Sequence, residues 1–245
     1  MENVTSYSAV ILEPRKHPAF ELVLLNFLEN LNQSWTIIIL HGLNNQYYLL
    51  NLINTKFLDY IDRIKLIKLK IRDLTIKEYN KILCSTDFYT HIPTEFFLIF
   101  QLDTMICPLY KDLIYNFMIY DYVGAPWINK GTVGNGGLSL RRKSEMLKII
   151  INNPSNIKGD IQEDYFFSDL CYNKPSVDMA KEFSIETMYT TKSFGIHKPW
   201  LYLEEIEIEE LCKIIPNLRL LININNKYSK FLKTNKNLVL RLCKK

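Results

Sequence analysis

Four groups of residues along this chain have the types and spacing that chemistry on a substrate requires. Asp103 ends an apolar run, and the glycine-rich segment VGNGGLSLRR begins at Val133. Glu163 and Asp164 are adjacent, and His197 follows within FGIHKPW. Carboxylates can bind divalent cations or accept protons, and imidazole can bind a metal. Each group alone has an ordinary structural explanation, so their order along the chain carries more weight than any single one.

Asp103 is a candidate metal ligand because it follows a strongly apolar stretch in FQLD. A hard divalent cation takes oxygen ligands, and a diphosphate can supply the oxygens that the protein does not. The alternative is an aspartate that caps a turn or a helix after the strand. The residue alone does not decide between these interpretations.

The glycines of this chain are unusually concentrated. Of 8 glycines in 245 residues, Gly134, Gly136 and Gly137 lie within four positions around Asn135. Glycine permits backbone conformations that side chains forbid and lets another group approach closely. Neither GxGxxG nor GxxxxGK[ST] is present, which disfavours a phosphate-binding loop. The segment is therefore either a glycine-rich hairpin or backbone against which a ligand lies, and Ser144 is predicted to cap the helix that follows.

Two later groups supply candidate acid–base and binding residues. Glu163 and Asp164 precede an aromatic run, so one can act as a general base while the other braces the structure. The alternative is that both belong to the acidic first turn of a helix. His197, Lys198 and Trp200 suit a metal, a pyrophosphate and a sugar ring respectively, although a lone histidine is more often structural.

Apolar runs alternate with segments of helical spacing over the first 106 residues. Strands are predicted at residues 8–15, 35–42, 63–70 and 95–106, and helices at residues 17–31, 47–61 and 75–92. The last helix opens with Thr75 and carries Glu78 three residues later, which is the pattern of a capping box. Strands that alternate with helices predict an α/β fold with a mixed, mostly parallel sheet flanked by helices. Ligands bind beyond the carboxyl ends of such strands, where Asp103 is predicted.

Bulk composition excludes several classes of protein. A hydrophobic fraction of 48% and a charged fraction of 23% are typical of a globular protein. The net charge is only +4 and basic residues do not interleave with aromatics, so no nucleic-acid partner is expected. The five cysteines form no CxxC pair, which disfavours a zinc site or a disulfide framework. No apolar run is long enough for a signal peptide or a membrane span, which predicts action in the cytoplasm.

Six segments resemble, in order, the signature blocks of the DUF5672 family, a glycosyltransferase-like family of bacteria, fungi and giant viruses. They are FLIFQLDTMI, YDYVGAPW, VGNGGLSLRRKSEML, EDYFF, FSIE and FGIHKPW. VILEPRKHPAFELVLLNFLENL resembles the N-terminal block, so the resemblance spans about residues 10–200. It implies a GT-A-like, Rossmann-like single domain over residues 1–200. The Glu-rich run LEEIEIEELCKII and the apolar run after it predict that residues 201–245 form a helical extension packed on that domain. The abundance of Asn, Ile and Lys fits a giant-virus member that acts in the host cytoplasm or a viral factory.

The resemblance also implies roles for individual residues, by similarity to inverting GT-A enzymes. Asp103 and His197 would bind Mn²⁺ or Mg²⁺, and Asp164, with Glu163 beside it, would be the catalytic base. The donor, expected to be a UDP-sugar, would be bound by Glu13, Arg15, Gln101, Asp103, Asn135, Gly136, Gly137 and Lys198. Trp127 and Trp200 are candidate contacts for the acceptor, which would be a glycan, a protein or a small molecule.

Gln101 departs from the family pattern, because it holds the position of the first carboxylate of a DxD motif. An amide is a poorer cation ligand than a carboxylate, which puts metal dependence in question. The alternative function is a GT-A-like domain that binds a nucleotide or a glycan without turnover. A retaining transferase would need no base at Asp164. A nucleotidyltransferase is disfavoured because no glycine-rich, lysine-bearing loop follows the first strand.

Overall fold

The computed structural model describes residues 6–128, 131–154 and 159–242, with the backbone alone for residues 231–242. The strands of this part of the chain are β1 (Tyr7–Leu12), β2 (Trp35–His41), β3 (Ile64–Lys68), β4 (Phe96–Phe100), β5 (Thr104–Ile106), β6 (Tyr122–Gly124), β7 (Pro126–Trp127), β8 (Thr132–Val133), β9 (Leu138–Arg142), β10 (Ser184–Ile185) and β11 (Gly195–His197). The α-helices are α1 (Phe20–Asn30), α2 (Gln46–Lys56), α3 (Ile76–Leu83), α4 (Thr86–Thr90), α5 (Lys143–Asn152), α6 (Glu163–Leu170), α7 (Val177–Lys181), α8 (Glu205–Ile214) and α9 (Leu218–Leu242). Short 3₁₀ helices lie at Leu58–Arg63, Pro108–Phe117 and Pro199–Leu201.

The central sheet has six strands in the order β3-β2-β1-β4-β9-β6. The strands β3, β2, β1 and β4 are parallel, and β9 is antiparallel to both of its neighbours. The strands β1 and β2 are apolar along nearly their whole length because helices cover both faces of the sheet. Alternate residues of β1 enter opposite cores, with Ala9 and Ile11 in one and Val10 and Leu12 in the other. The predicted mixed, mostly parallel α/β sheet is confirmed.

Three predicted elements are divided in the structure. The helix predicted at residues 47–61 ends at Lys56, and a 3₁₀ helix follows from Leu58 to Arg63. The helix predicted at residues 75–92 forms α3 and α4, and α3 begins with the predicted capping box between Thr75 and Glu78. The strand predicted at residues 95–106 forms β4 and β5, which belong to different sheets.

The chain turns between β4 and β5 at residues 101–103. The backbone N–H of Thr104 donates to the carbonyl of Gln101 at 3.2 Å, and the Thr104 hydroxyl donates to the same carbonyl at 2.6 Å. The turn carries the chain into a second sheet, of order β10-β11-β5, in which His197 pairs with Thr104. This pairing places His197 next to Asp103.

The prediction that Ser144 caps the following helix is wrong. Arg142 occupies the N-cap position of α5, and Ser144 lies one residue inside the helix. The hydroxyl of Ser144 instead donates to the carboxylate of Glu95. The helix begins earlier than predicted because β9 leads directly into it.

The last two helices pack on the same core as the sheet. Leu211 of α8, Ile215, and Leu218 and Leu221 of α9 are buried in the cluster that contains Ile37 and Leu98. The division into residues 1–200 and 201–245 stays a prediction, and residues 1–5 and 243–245 lie outside the described residues. Across the described ranges, no helix combines the length and apolar character that crossing a membrane requires.

Candidate active site

A cavity of about 490 Å³ opens at the carboxyl ends of β1 and β4. Its walls contain every residue predicted to serve in catalysis, donor binding or metal binding: Glu13, Arg15, Gln101, Asp103, Asn135, Gly136, Gly137, Glu163, Asp164, His197 and Lys198. Residues separated by more than 180 positions in the sequence therefore meet in one space. Their individual roles depend on the contacts that each makes.

Asp103 and His197 face one another in this cavity. Nε2 of His197 lies 3.4 Å from Oδ1 of Asp103, and the N–H of Lys198 donates to the Asp103 carbonyl at 2.9 Å. Burial would raise the pKa of Asp103, but the neighbouring charges of His197 and Lys198 lower it below its usual range. Burial would lower the pKa of His197, but the carboxylates of Asp103 and Glu186 raise it above its usual range. Each group thus favours the charged form of the other.

The same pair fits a metal ion. Among the described residues, Oδ1 of Asp103 and both ring nitrogens of His197 are buried and have no hydrogen bond of normal geometry. Buried polar atoms nearly always have partners, so an ion between Oδ1 of Asp103 and Nε2 of His197 would explain these two atoms. Nδ1 of His197 instead lies 3.1 Å from Oε1 of Glu186. Carboxylate oxygen and imidazole nitrogen are both ligands of Mn²⁺ and related metals.

The protein would supply only part of the coordination shell. Within the ranges that the structure describes, no cluster of three or more His, Cys, Asp and Glu side chains could hold a metal. Gln101 occupies the turn before Asp103, and its amide nitrogen donates to the hydroxyl of Tyr79 at 3.1 Å. Two protein ligands therefore fit a metal that takes its remaining ligands from a diphosphate and water.

Neighbouring side chains leave no room for a Cβ atom at residues 136 and 137, which explains why both are glycine. A Cβ on Gly137 would lie 2.2 Å from Nε2 of His197, and a Cβ on Gly136 would lie 2.2 Å from Oε1 of Glu163. These distances are far shorter than any van der Waals contact. Both glycines also line the cavity, so contact with a donor sugar stays a prediction, but the concentration of glycine already has a structural cause.

Glu163 and Asp164 open α6, as the alternative interpretation of the pair predicts, and the two side chains differ in their partners. Arg141, which is fully buried, donates from Nη1 and Nη2 to the two oxygens of Glu163 at 2.7 and 3.1 Å. Oδ1 of Asp164 accepts from the N–H of Tyr165 at 2.8 Å, and Oδ2 accepts from the N–H of Gly136 at 3.4 Å. This geometry favours a bracing role for Glu163.

The protonation of Asp164 is also perturbed. Burial, and after it the charge of Glu163, raise the pKa of Asp164 to about 6. A carboxylate with a pKa near the working pH can both accept and release a proton efficiently. Asp164 is therefore the residue of the pair whose geometry and pKa suit a general base.

The end of β1 forms a further part of the cavity wall. Nε and Nη2 of Arg15 each donate to the carboxylate of Glu13 at 2.7 Å, so Glu13 orients the guanidinium. His17, for which the sequence suggested no role, lines the cavity, and burial, then the charge of Arg15, lower its pKa to about 4. The ring of Tyr228 on α9 lies 4.1 Å from that of His17.

The family of this chain follows from its sequence. Residues 63–197, more than half of the chain, match DUF5672, which is described as a protein of unknown function. The chain belongs to the DUF5672 family. No curated protein matches it.

Solved structures similar to this DUF5672 protein include the glycosyltransferase GlyE of Streptococcus pneumoniae TIGR4. One GlyE structure aligns with a TM-score of 0.55 at 13% identity, over 92% of this chain and 64% of GlyE. Its apo form aligns with a TM-score of 0.53 at 12% identity, over 93% of this chain and 64% of GlyE. The chain thus spans less than two thirds of the length of GlyE, and at these identities the similarity shows the fold alone. That fold is the α/β fold of GT-A glycosyltransferases.

The mannosyltransferase PcManGT of Pyrobaculum calidifontis, solved in complex with GDP-Man and Mn²⁺, is a more distant neighbour. It aligns with a TM-score of 0.44 at 11% identity, over 58% of this chain and 46% of its own. A score this low supports no argument about the DUF5672 protein.

The two tryptophans predicted to contact an acceptor lie outside the described residues that line the cavity. The ring of Trp127 lies 4.7 Å from the ring of Tyr165, which follows Asp164 in the sequence. Trp200 packs against the main hydrophobic core. Their roles in this DUF5672 protein stay predictions.

Sequence reasoning missed several contributors to the site, among them three residues of α9 and Glu186. Asn225, Tyr228 and Ser229 of α9 line the cavity, and no pattern in the sequence indicates which face of the helix meets it. Glu186 is buried against His197, although it was not predicted as a site residue. The sequence feature that could have indicated Glu186 is an acidic residue directly after the run FSI, where another apolar residue would be expected.

Proposed function

We propose that this protein transfers a sugar from a nucleotide-sugar donor, with a UDP-sugar as the first candidate, to an acceptor hydroxyl. The observation that carries the proposal is that one cavity contains both a pair of side chains that fits a metal ion and a carboxylate that suits a general base. Among the described residues, Oδ1 of Asp103 and Nε2 of His197 lie 3.4 Å apart and have no hydrogen bond, and Asp164 has a pKa raised to about 6. The backbone of Gly136 and Gly137 lies between them, because Gly136 contacts Asp164 and Gly137 contacts His197.

The donor would lie with its diphosphate near the cationic groups of the cavity. Asp103 and His197 would hold Mn²⁺ or Mg²⁺, and such an ion offsets the charge that develops on a diphosphate leaving group. Lys198 supplies a further positive charge, and its backbone N–H is already tied to the carbonyl of Asp103. The guanidinium of Arg15, held by Glu13, would contact the nucleotide.

Asp164 would act as the base in a single displacement with inversion. The acceptor oxygen forms a bond to the anomeric carbon, and the bond from that carbon to the diphosphate oxygen breaks. The proton of the acceptor hydroxyl passes to a carboxylate oxygen of Asp164, and the diphosphate leaves with the bonding electron pair. At a pKa of about 6, this carboxylate is mostly ionised at neutral pH and can accept the proton.

Nucleotide binding tests the donor site. Thermal unfolding would be measured with a panel of nucleoside diphosphates and nucleotide sugars, with Mn²⁺ and with a chelator. A ligand at a hundred times its Kd stabilises a protein by about 2.7 kcal/mol. We expect metal-dependent stabilisation by one nucleotide diphosphate, lost in Asp103→Asn and kept in Asp112→Asn, which changes an exposed aspartate. An absence of stabilisation by every nucleotide would contradict the proposal.

Turnover tests the base. Release of the nucleoside diphosphate from the sugar donor that binds would be compared for the wild type, Asp164→Asn and Asp169→Asn. Asp169 is exposed on the same helix, so it controls for the loss of one carboxylate. We expect Asp164→Asn to lose at least about 100-fold in rate while it keeps nucleotide binding. Full activity in Asp164→Asn would favour a retaining mechanism that needs no base there.

Gln101 favours a second candidate, a domain that binds the nucleotide sugar without turnover. Its amide is held by the hydroxyl of Tyr79 and replaces the carboxylate expected at the first position of a DxD motif. Under this candidate, the wild type binds a nucleotide but releases no diphosphate with any acceptor. The two experiments above therefore separate the candidates.

A further inference from the structure

Glu186 is a buried carboxylate behind the cavity wall that the proposed reaction does not use. It directly follows β10, and only 2% of its side chain is exposed. Removing an ionised carboxylate from water is costly unless partners compensate for the lost hydration. The partners of Glu186 therefore indicate why it lies there.

One oxygen of Glu186, Oε1, contacts three side chains. Nδ2 of Asn135 donates a hydrogen bond to it at 3.0 Å, Nδ1 of His197 lies 3.1 Å away, and Nζ of Lys198 lies 3.7 Å away. All three partners line the cavity, whereas Glu186 is not among the described residues that do so. Glu186 thus connects the glycine-rich segment to the His-Lys pair from behind.

The contact with His197 bears on its tautomer. A carboxylate that faces Nδ1 favours the proton on that nitrogen and leaves Nε2 with a free lone pair. Nε2 is the nitrogen that lies 3.4 Å from Oδ1 of Asp103. The carboxylate of Glu186 therefore favours the tautomer that can bind a metal next to Asp103.

The contact with Asn135 fixes the glycine-rich backbone. Because Nδ2 of Asn135 donates to Glu186, its Oδ1 points the other way and accepts from the N–H of Gly137 at 2.8 Å. Gly137 in turn packs against the ring of His197. Glu186, Asn135, Gly137 and His197 therefore form a closed set of contacts around one edge of the cavity.

We propose that Glu186 is a positioning residue that sets the tautomer and orientation of His197 and anchors Asn135. Its consequence for catalysis rests on the proposed function, whereas its effect on the histidine ring does not. The two can therefore fail separately.

The tautomer is tested first in the wild type, which needs no variant that must fold. Full-length protein with ¹⁵N-labelled histidine would be examined by ¹H–¹⁵N NMR at an alkaline pH where the ring is neutral. Loss of one signal in His197→Gln assigns the residue. We expect the Nδ1–H tautomer at His197, and an Nε2–H tautomer would overturn the proposal.

Two matched variants test the effect on binding. Glu186→Gln removes the charge, and Glu182→Gln makes the same change at a side chain that is 45% exposed and pairs with Lys192. We expect Glu186→Gln to shift His197 towards the Nε2–H tautomer and to weaken Mn²⁺ binding at least tenfold, as loss of an outer-shell partner does. Glu182→Gln should change neither quantity.

Unchanged tautomer populations in a folded Glu186→Gln would overturn the proposal. If the tautomer shifts but neither the wild type nor the variant binds Mn²⁺ or a nucleotide, the positioning role stands and the proposed function fails. If the wild type binds both and Glu186→Gln binds Mn²⁺ with unchanged affinity, the proposed function stands and the positioning role fails.

Discussion

The carboxyl group of Asp164 lies in an environment that disfavours its ionised form. Its pKa of about 6 exceeds the usual 3.8, so the folded state favours the protonated carboxyl. The stability gained from that proton is fully present below about pH 3.8 and is lost as the pH rises through about 6. A residue kept for stability alone would not be expected in this environment.

The direction of this pKa shift predicts how the stability of Asp164→Asn depends on pH. The amide is neutral at every pH, so the variant should be more stable than the wild type at pH 8, by up to about 3 kcal/mol. The difference should shrink towards pH 4, where the wild-type carboxyl is protonated. Urea unfolding at both pH values measures it, with the exposed Asp169→Asn as a control that stays near the wild type. A less stable Asp164→Asn at pH 8 would count against the raised pKa.

Glu163, which precedes Asp164 in the sequence, forms a buried ion pair with Arg141. The guanidinium of Arg141 also lies 5.1 Å from the ring centroid of Tyr122 and 5.4 Å from that of Phe167. Arg141→Leu should cost about 3 to 5 kcal/mol of unfolding free energy, because it leaves Glu163 buried without a partner. Arg141→Leu combined with Glu163→Leu should recover much of that loss.

Chemical denaturation of the single and double variants measures this coupling. Arg219→Leu is the control, because Arg219 is 68% exposed and its nearest contact with Glu209 is 3.5 Å. It should cost less than about 1 kcal/mol. A double variant no more stable than Arg141→Leu would show that the pair does more than neutralise buried charge.

Two connecting segments, the turn between β4 and β5 and the segment before β9, bring Asp103 and Gly137 next to His197. β5 and β11 are paired, so Asp103 and His197 are held by hydrogen-bonded strands, and Gly137 fits against the histidine ring. His197 is part of β11 and Asp103 directly precedes β5, so the pairing of these two strands limits how far the pair can separate.

Gly137→Ala tests this fit. The added methyl group would lie 2.2 Å from the buried ring of His197, which must shift or tilt. We expect a loss of about 1 to 3 kcal/mol in stability and at least tenfold weaker Mn²⁺ binding, measured by thermal unfolding and by metal titration. In Gly131→Ala nothing lies within 4 Å of the added group, and only its positive φ of 59° is strained. That control should lose about 1 kcal/mol and keep its metal affinity, and equal metal affinity in both variants would contradict the fit.

The residues that match the family and the residues that form the fold are not the same. The match covers residues 63–197, whereas β1 and β2 lie before it and α9 lies after it. β1 pairs with both β2 and β4 in the middle of the sheet. A fragment limited to the matched residues therefore lacks the centre of the sheet.

We predict that a fragment of residues 63–197 does not fold alone. It would show no cooperative thermal transition by circular dichroism, because β4 loses its parallel partner and the core loses α1 and α9. The full chain, measured under the same conditions, is the control. A sharp transition in the fragment would show that β1 and β2 are dispensable for the fold.

The sequence predicted the parallel half of the sheet better than the rest, for a physical reason. β1, β2 and β4 are continuous apolar runs, which local pattern is enough to identify. The position of β9 between β4 and β6 depends on pairing between distant segments, and its buried Arg141 makes it look like a surface strand. The division between β4 and β5 was also missed, because the turn is only three residues long and apolar residues resume at Met105 and Ile106.

The site residues show the same contrast between positions that local sequence indicates and positions that depend on distant contacts. Asp103, Asp164 and His197 stand in motifs short enough to be read locally, and all three line the cavity. Tyr228 owes its position to tertiary packing, so no local spacing marks it, and Glu186 is marked only by its charge directly after the run FSI. The bracing of Glu163 by Arg141 likewise depends on two elements that lie 22 residues apart.

The cavity takes its walls from both ends of the described chain, from residues 11–15 at the end of β1 to Asn225, Tyr228 and Ser229 on α9. A ribosome delivers β1 early and α9 late, and the sheet can begin to form while α9 is still being made. A nascent chain that stalls before Ser229 would therefore present an incomplete pocket. The complete pocket would therefore form only after α9 has been synthesised.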